Sequence, residues 1–399
     1  MAPPEETTCD VAVVGLGLIG AGALRHLAAS GADVVGIGPS EPVDRRTHEG
    51  AFASHHDSGR ITRRLDPRRE WAVLADRSIA GYAALEAVSG ITFHRPVGAV
   101  MAELDPGRID ATLANAAAMG VGVTITPPGA PSPHDGLLAF PAGSTLLGEP
   151  APAGHIDPRR MLAANLAAAR LDGAATVDDE VVAIERAPGA WRLHTRSGRT
   201  VAAQRVVVAA GPHADEVLAG VSVARITPPL DVRGETVVLA TLDADEQARL
   251  AAVPSVLARL RHETYADLYL VPPTAYPDGT VRLKLGGTRS THLRLPAAGD
   301  KRAWMRGEEH RGEEAELRSL LEALVPGVRA TSWETKPCLI TETPSDLPYL
   351  DHVGPDLVLA AGGNGYAAKS ANAIGALAAD LAVQGGWPDA ELAASSFQA

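Results

Sequence analysis

Gly15, Gly17 and Gly20 follow the apolar run Val11–Val14 and open a helical pattern, a spacing suited to holding a dinucleotide pyrophosphate. Gly15 permits a tight turn after the strand, and Gly17 lets backbone approach the phosphates. Gly20 lets the helix lie close on the strand, and the helix N-terminus offers unpaired N–H groups to the anion. A strand before the glycines and a helix after them make this pattern more specific than the glycines alone. Far along the chain, LVLAAGGNGYAAK (357–369) reads as another apolar strand running into a glycine-rich turn, with Gly363 and Gly365 placed for a close approach. A dinucleotide gripped from both ends of a long chain is commoner among flavin oxidoreductases than among nicotinamide dehydrogenases. The second strand, Asp33–Ile37, ends at Gly38, where an acidic residue for the adenosine ribose is usual. Ser40 or Glu41 stands next in line for that role.

Other chemistry-bearing side chains lie between these ends. Residues 43–70 hold seven arginines and three histidines among small residues. A guanidinium offers a fixed fork of donors matched to a carboxylate, although by themselves Arg60, Arg63 and Arg64 read better as the solvated charges of a loop. Lys284, in RLKLGG, sits among apolar strand residues, where an unpaired ammonium is costly; the alternative is a lysine that snorkels to solvent. A lone buried cysteine is most often an apolar filler, which describes Cys9. No His, Cys, Asp or Glu spacing suggests a metal site; His26, His48, His213 and His310 read as surface or structural residues.

The elements that must position these groups alternate in type. The helix after Gly20 runs through Leu24 and Leu27 to a stop at Ser30-Gly31. Residues 1–9 read as a loose tail, 71–88 as helical, 91–103 as a strand pair and 127–154 as loop. Asp157 and Pro158 mark a helix start. Strands follow, turning at Pro188-Gly189 and Ser197-Gly198, and the last, Arg205–Ala210, delivers Gly211 towards the dinucleotide. Residues 221–300 are β-rich, with a hairpin at Asp278-Gly279. Leu317, Leu320, Leu321 and Leu324 have helical spacing within 301–325. A strand over 328–340 and a helix over 368–385 close the chain. There is no internal repeat. The expectation is an α/β fold: a Rossmann-type dinucleotide-binding domain, discontinuous in sequence (9–85, 150–220 and 328–399), with an inserted β-rich α+β substrate domain (86–149 and 221–327).

Composition narrows the function class. The 399 residues are 46% hydrophobic with a net charge of −12. An acidic chain disfavours nucleic acid or anionic membrane as the main partner. Two cysteines make neither a disulfide framework nor a zinc constellation. MAPPEETTCD lacks a charged n-region and an apolar core, so no secretory signal is expected, and the cytoplasm is the default.

In order, GLGLIG (15–20), SHHDSGRITRR (54–64), VVVAAGP (206–212), RLKLGG (282–287), KPC (336–338) and AAGGNGYAAK (360–369) resemble the monomeric sarcosine oxidase and N-methyltryptophan oxidase family of FAD-dependent amine oxidases, in the D-amino-acid oxidase group. The resemblance spans nearly the whole chain. It implies that Arg60 and His56 lie near the flavin, and that Arg63 and Lys369 hold the substrate carboxylate. It implies that Cys338 carries FAD as a covalent thioether and that Lys284 activates oxygen, its ammonium stabilising the negative charge that develops there. Tyr269 corresponds either to a pocket tyrosine or to a strand aromatic facing the core. Thr288 stands where the family often has a histidine, His292 lies four residues further on, and Tyr366-Ala367-Ala368 departs from the bulkier residues common there. These departures imply a reshaped pocket and count against sarcosine itself. The implied reaction is oxidation of a small secondary or N-substituted amino acid to an imine, with oxygen reduced to hydrogen peroxide by a monomer or small homo-oligomer. Two alternatives stay open: a flavin dehydrogenase or demethylase serving another acceptor, and a NAD(P)-dependent reductase whose Arg45 and Arg46 meet a 2′-phosphate.

Overall fold

The computed structural model describes residues 6–221, 229–307 and 312–399. Residues 1–5 of the expected tail, residues 222–228 of the β-rich stretch and His310 lie outside them. The first strand is longer than expected, Glu6–Val14, because residues 6–9 pair in parallel with Thr200–Ala203 instead of forming a tail.

An eight-stranded sheet centres on that strand. It is flanked in parallel by Val34–Ile37 and Thr200–Val208, and Leu357–Ala361 runs parallel to the end of the latter. At their buried ends, Val11–Val14, Val34–Ile37, Val206–Val208 and Leu357–Ala361, these strands carry no polar side chain because helices cover one face and further packing the other. The helix Leu18–Ala29 and the closing helix Ala367–Gln384 lie side by side on one face. A Cβ on Gly375 would come 2.6 Å from the Ala23 nitrogen, so only glycine permits that approach. Their shared core includes Leu24, Leu27, Val207, Val358, Ile374 and Leu377. Both glycine-rich turns, from opposite ends of the sequence, thus follow the carboxyl ends of two parallel strands that flank Thr200–Val208 in one sheet.

A nine-stranded sheet is built mainly from residues 99–149 and 231–342. Its long strands Asp231–Thr241, Tyr265–Ala275 and Val281–Arg289 are antiparallel neighbours. The expected hairpin turns at Gly279, whose φ of +82° suits glycine. The strand Ser332–Glu342 pairs along the whole of Asp231–Thr241, with Glu235 opposite Cys338. The sequence partition grouped residues 328–399 with the dinucleotide-binding piece; the hydrogen bonding puts Ser332–Glu342 in the other sheet.

Local differences have local causes. The expected strand pair over 91–103 is two strands with separate partners, His94–Arg95 on Gly154–Ile156 and Ala99–Glu103 between Ser255–Arg259 and Thr145–Glu149. The expected loop 127–154 contains Thr145–Glu149, where proline and glycine on either side masked a short buried strand. The helix Pro158–Leu171 begins as its start signal implied, with Asp157 accepting from the Arg160 N–H at 3.0 Å. Among the described residues no helix is long and apolar enough to cross a membrane.

Candidate active site

A cleft of about 360 Å³ runs from the first glycine turn to the nine-stranded sheet. Gly15, Gly17, Gly211, Gly363 and Gly365 line it, with Arg60 and Cys338 at the far end. Gly15 has φ +93°, and a Cβ there would lie 2.6 Å from the Ala209 carbonyl oxygen. Gly20 is off the cleft wall, and its Cβ would run into the Gly15 carbonyl, so its role is helix approach. No side chain caps the Leu18–Ala29 helix, whose first N–H groups are left for an anion. The cleft, its glycine cradle and the uncapped helix together fit FAD. We expect Gly20→Ala to fold and to lose nearly all bound flavin, read as the ratio of flavin to protein absorbance, because the clash is with backbone. Full flavin content in that variant would remove the turn from the site.

Three further residues expected at the cofactor are not on the cleft wall. Ser40 donates to Asp178 (2.6 Å), Glu41 accepts from Arg159 Nε and Nη2 (2.6 Å each), and neither lines the cleft, whereas Asp179 and Glu180 do. His55, not its neighbour His56, lines the wall, with its Nδ1 3.8 Å from the position of a Cβ on Gly17. His56 is buried with its Nε2 unpartnered among the described residues, and burial lowers its pKa to about 4.

Two clusters of buried charge stand beyond the cleft. In the first, Lys284 is 1% exposed and donates to Asp57 Oδ2 and to the Gly59 carbonyl at 2.9 Å. Arg60 pairs with the same Asp57 oxygen, and Tyr276 donates to its other oxygen at 3.2 Å. Arg60 Nη2 also lies 3.6 Å from the Cys338 sulfur. Burial opposes ionisation of Asp57, but Lys284 and then Arg60 hold its carboxyl well below the usual range. Burial, reinforced by Arg60, lowers Lys284 to about 8. Tyr269 lies over Gly286, its register partner, with its ring centroid 5.4 Å from Lys284 Nζ. It therefore shares the sheet face of Lys284. Thr288 is half-buried on the same strand opposite Asp267, and His292 instead faces Glu342 at 3.6 Å.

The second cluster joins residues 303 positions apart in sequence: Lys369 Nζ reaches Asp66 Oδ2 at 2.8 Å. Arg63 Nη1 reaches the same oxygen at 3.1 Å. All three residues are buried, at 3%, 3% and 4% exposure for Lys369, Asp66 and Arg63. Burial and then Arg63 lower Lys369 to about 8, while Lys369 and Arg63 outweigh burial to keep Asp66 below the usual carboxylate range. The Tyr366 ring lies 5.5 Å from Lys369 Nζ and 6.0 Å from the Arg63 guanidinium carbon. The two cations thus converge as expected, but on a carboxylate of their own chain.

Asp57 and Asp66 are the residues that sequence reading missed. The period-three run Asp57, Arg60, Arg63, Asp66 was the available signal, since each aspartate pairs with the nearer arginine three positions away. Glu235, also missed, is buried opposite Cys338, and burial raises it to about 7 against the pull of Arg233. Cys9 packs inside the first sheet, its thiol raised to about 12 by burial, as an apolar filler would be. No group of three or more metal-ligating side chains occurs among the described residues.

A family model described as "DAO: FAD dependent oxidoreductase" matches residues 10–381. No curated protein matches by sequence. Among solved structures, NikD, described as an unusual amino acid oxidase essential for nikkomycin biosynthesis, is 20% identical, covers 98% of this chain and 97% of its own, and has a TM-score of 0.76. The L-proline dehydrogenase from P. horikoshii is 17% identical over 99% of this chain and 97% of its own, with a TM-score of 0.72. The iminodiacetate oxidase from Chelativorans sp. BNC1 is 22% identical over 97% of this chain and 98% of its own, with a TM-score of 0.71. At these identities the likeness establishes a common fold.

Proposed function

Because the chain belongs to the DAO family of FAD dependent oxidoreductases, we propose that it oxidises a small secondary or N-substituted amino acid to an imine and passes the electrons to oxygen, releasing hydrogen peroxide. The observation that carries this reading is the meeting of Arg63 and Lys369 on a single carboxylate oxygen. Two like charges buried side by side need a compensating anion, and Asp66 supplies one negative charge against their two, which leaves a surplus positive charge for a substrate carboxylate. FAD, when bound, supplies the two-electron chemistry that neither cluster has. Arg63 and Lys369 orient the amino acid through its carboxylate, which leaves the amine and its neighbouring C–H free to face the cofactor. Lys284 presents an ammonium where oxygen acquires charge, and Arg60 and Tyr276 fix the Asp57 carboxylate that holds it. Family membership replaces the nicotinamide alternative, and Arg45 and Arg46 are not on the cleft wall.

Cys338 lines the cleft beside Arg60 with its sulfur free of any disulfide. In this reading it carries the flavin covalently. Acid precipitation tests it: the flavin colour should stay with the pellet in the native protein and move to the supernatant in Cys338→Ala. Colour in the native supernatant would establish noncovalent FAD.

One observation favours a second reading, a flavin amine dehydrogenase. Asp57 bonds directly to Lys284 and so offsets the charge that oxygen would meet. Rapid oxidation of the reduced protein by a quinone, with sluggish oxidation by oxygen, would select that reading.

A further inference from the structure

Taking Arg63 and Lys369 as the carboxylate cradle proposed above, we infer that Asp66 is a resident competitor for that cradle, a specificity residue that lowers its affinity for a substrate carboxylate. The geometry is specific. Asp66 Oδ2 accepts from both cations, at 3.1 Å from Arg63 and 2.8 Å from Lys369, so it stands where one oxygen of an incoming carboxylate would stand. Its other oxygen accepts from the Arg68 N–H at 3.0 Å, closing a local turn. Asn115 binds the carbonyls of Asp66 and Pro67 at 3.0 and 3.1 Å, tying that turn to the neighbouring helix. The Asp66 side chain is therefore anchored on the cradle from its own loop and is not a surface carboxylate that has drifted in.

The charges define the effect. Arg63, Lys369 and Asp66 sum to one positive charge in a place from which water is excluded. Without Asp66 the cradle would offer two. A substrate carboxylate must either push Asp66 off the shared position or settle beside it, and both routes penalise a second carboxylate. Asp66 also explains how two cations stay packed together before substrate arrives. It favours substrates that bring further contacts, such as a ring or an N-substituent against Tyr366, over a bare small carboxylate.

The test is titration of the purified holoenzyme with acetate, followed by the change in the flavin absorbance spectrum, with neutral acetamide as the control. Asp66→Asn should bind acetate about tenfold tighter or more, leave acetamide unchanged, and lose the gain when Arg63→Met is added. Asp66→Glu, which keeps the charge, should stay near the native affinity. If Asp66→Asn leaves two uncompensated cations and folds poorly, the same comparison in a Lys369→Met background leaves only Arg63, and Asp66→Asn/Lys369→Met should bind acetate tighter than Lys369→Met. Unchanged or weaker acetate binding in the neutral variants, with binding still dependent on Arg63, overturns the role of Asp66 and leaves the cradle standing. Acetate binding that is indifferent to Arg63 overturns the cradle and Asp66 together.

Discussion

Lys284→Met should slow reoxidation of the reduced protein by oxygen by about a hundredfold to a thousandfold, the range for losing a preorganised charge from a dry site. Reduction by substrate should change far less. The lysine sits on a strand of the nine-stranded sheet and touches Asp57 and the Gly59 carbonyl, whereas the carboxylate cradle is built from other elements. The same charge sets a pH dependence. Burial lowers Lys284 to about 8, so its ammonium is present below that pH and lost above it. Oxygen reactivity should therefore fall as pH rises through about 8, and the slope should vanish in Lys284→Met. Stopped-flow mixing of reduced protein with oxygen measures both. A variant that reoxidises as fast as the native protein would assign oxygen activation elsewhere.

Arg63→Met should raise KM for an amino acid substrate by about a hundredfold or more, the usual cost of removing one member of a buried, hydrogen-bonded charge pair. Breaking such pairs normally destabilises the fold by about 3–5 kcal/mol, because a charge is left stranded. Here the outcome differs. Lys369 still faces Asp66 at 2.8 Å, so removing Arg63 leaves a matched pair, and only the surplus positive charge is lost. Thermal unfolding should accordingly move little while KM rises. Asp66→Ala/Arg63→Met, by contrast, leaves Lys369 alone and should unfold at lower temperature. Steady-state kinetics with a carboxylate substrate and with the corresponding amine lacking the carboxylate separates the roles, because only the former depends on Arg63.

The sequence carried the cofactor-binding half plainly. Its central strands end in apolar runs that lead into glycine turns, so Gly15, Gly17 and Gly211 could be placed without knowing the fold. Asp157 announced its helix in the same local way. The nine-stranded sheet was harder. Ser332–Glu342 reads as a strand, but nothing in its alternation says that Asp231–Thr241 is its partner, and register is a long-range property. The charge clusters were half legible. Cations at 60, 63, 284 and 369 stood out by type and by resemblance. The aspartates that hold them were hidden because a carboxylate in an arginine-rich loop ordinarily means a solvated surface. Only burial turns Asp57 and Asp66 from loop polarity into the anions on which the site closes. Ser40 and Glu41 sit next to the expected strand, and their side chains meet Asp178 and Arg159, partners that no local pattern announces.

The most direct measurement mixes the purified holoenzyme, without oxygen, with a panel of N-methylglycine, L-proline, pipecolate and N-methyltryptophan, then admits oxygen. An FAD-dependent amino acid oxidase will lose its flavin colour with at least one of them, regain it when oxygen enters, and release one hydrogen peroxide per turnover. Bleaching by none of these four, but by counterparts that lack the carboxylate, such as pyrrolidine in place of L-proline, would contradict the roles of Arg63 and Lys369. Bleaching that oxygen does not reverse would contradict the role of Lys284 and leave a dehydrogenase.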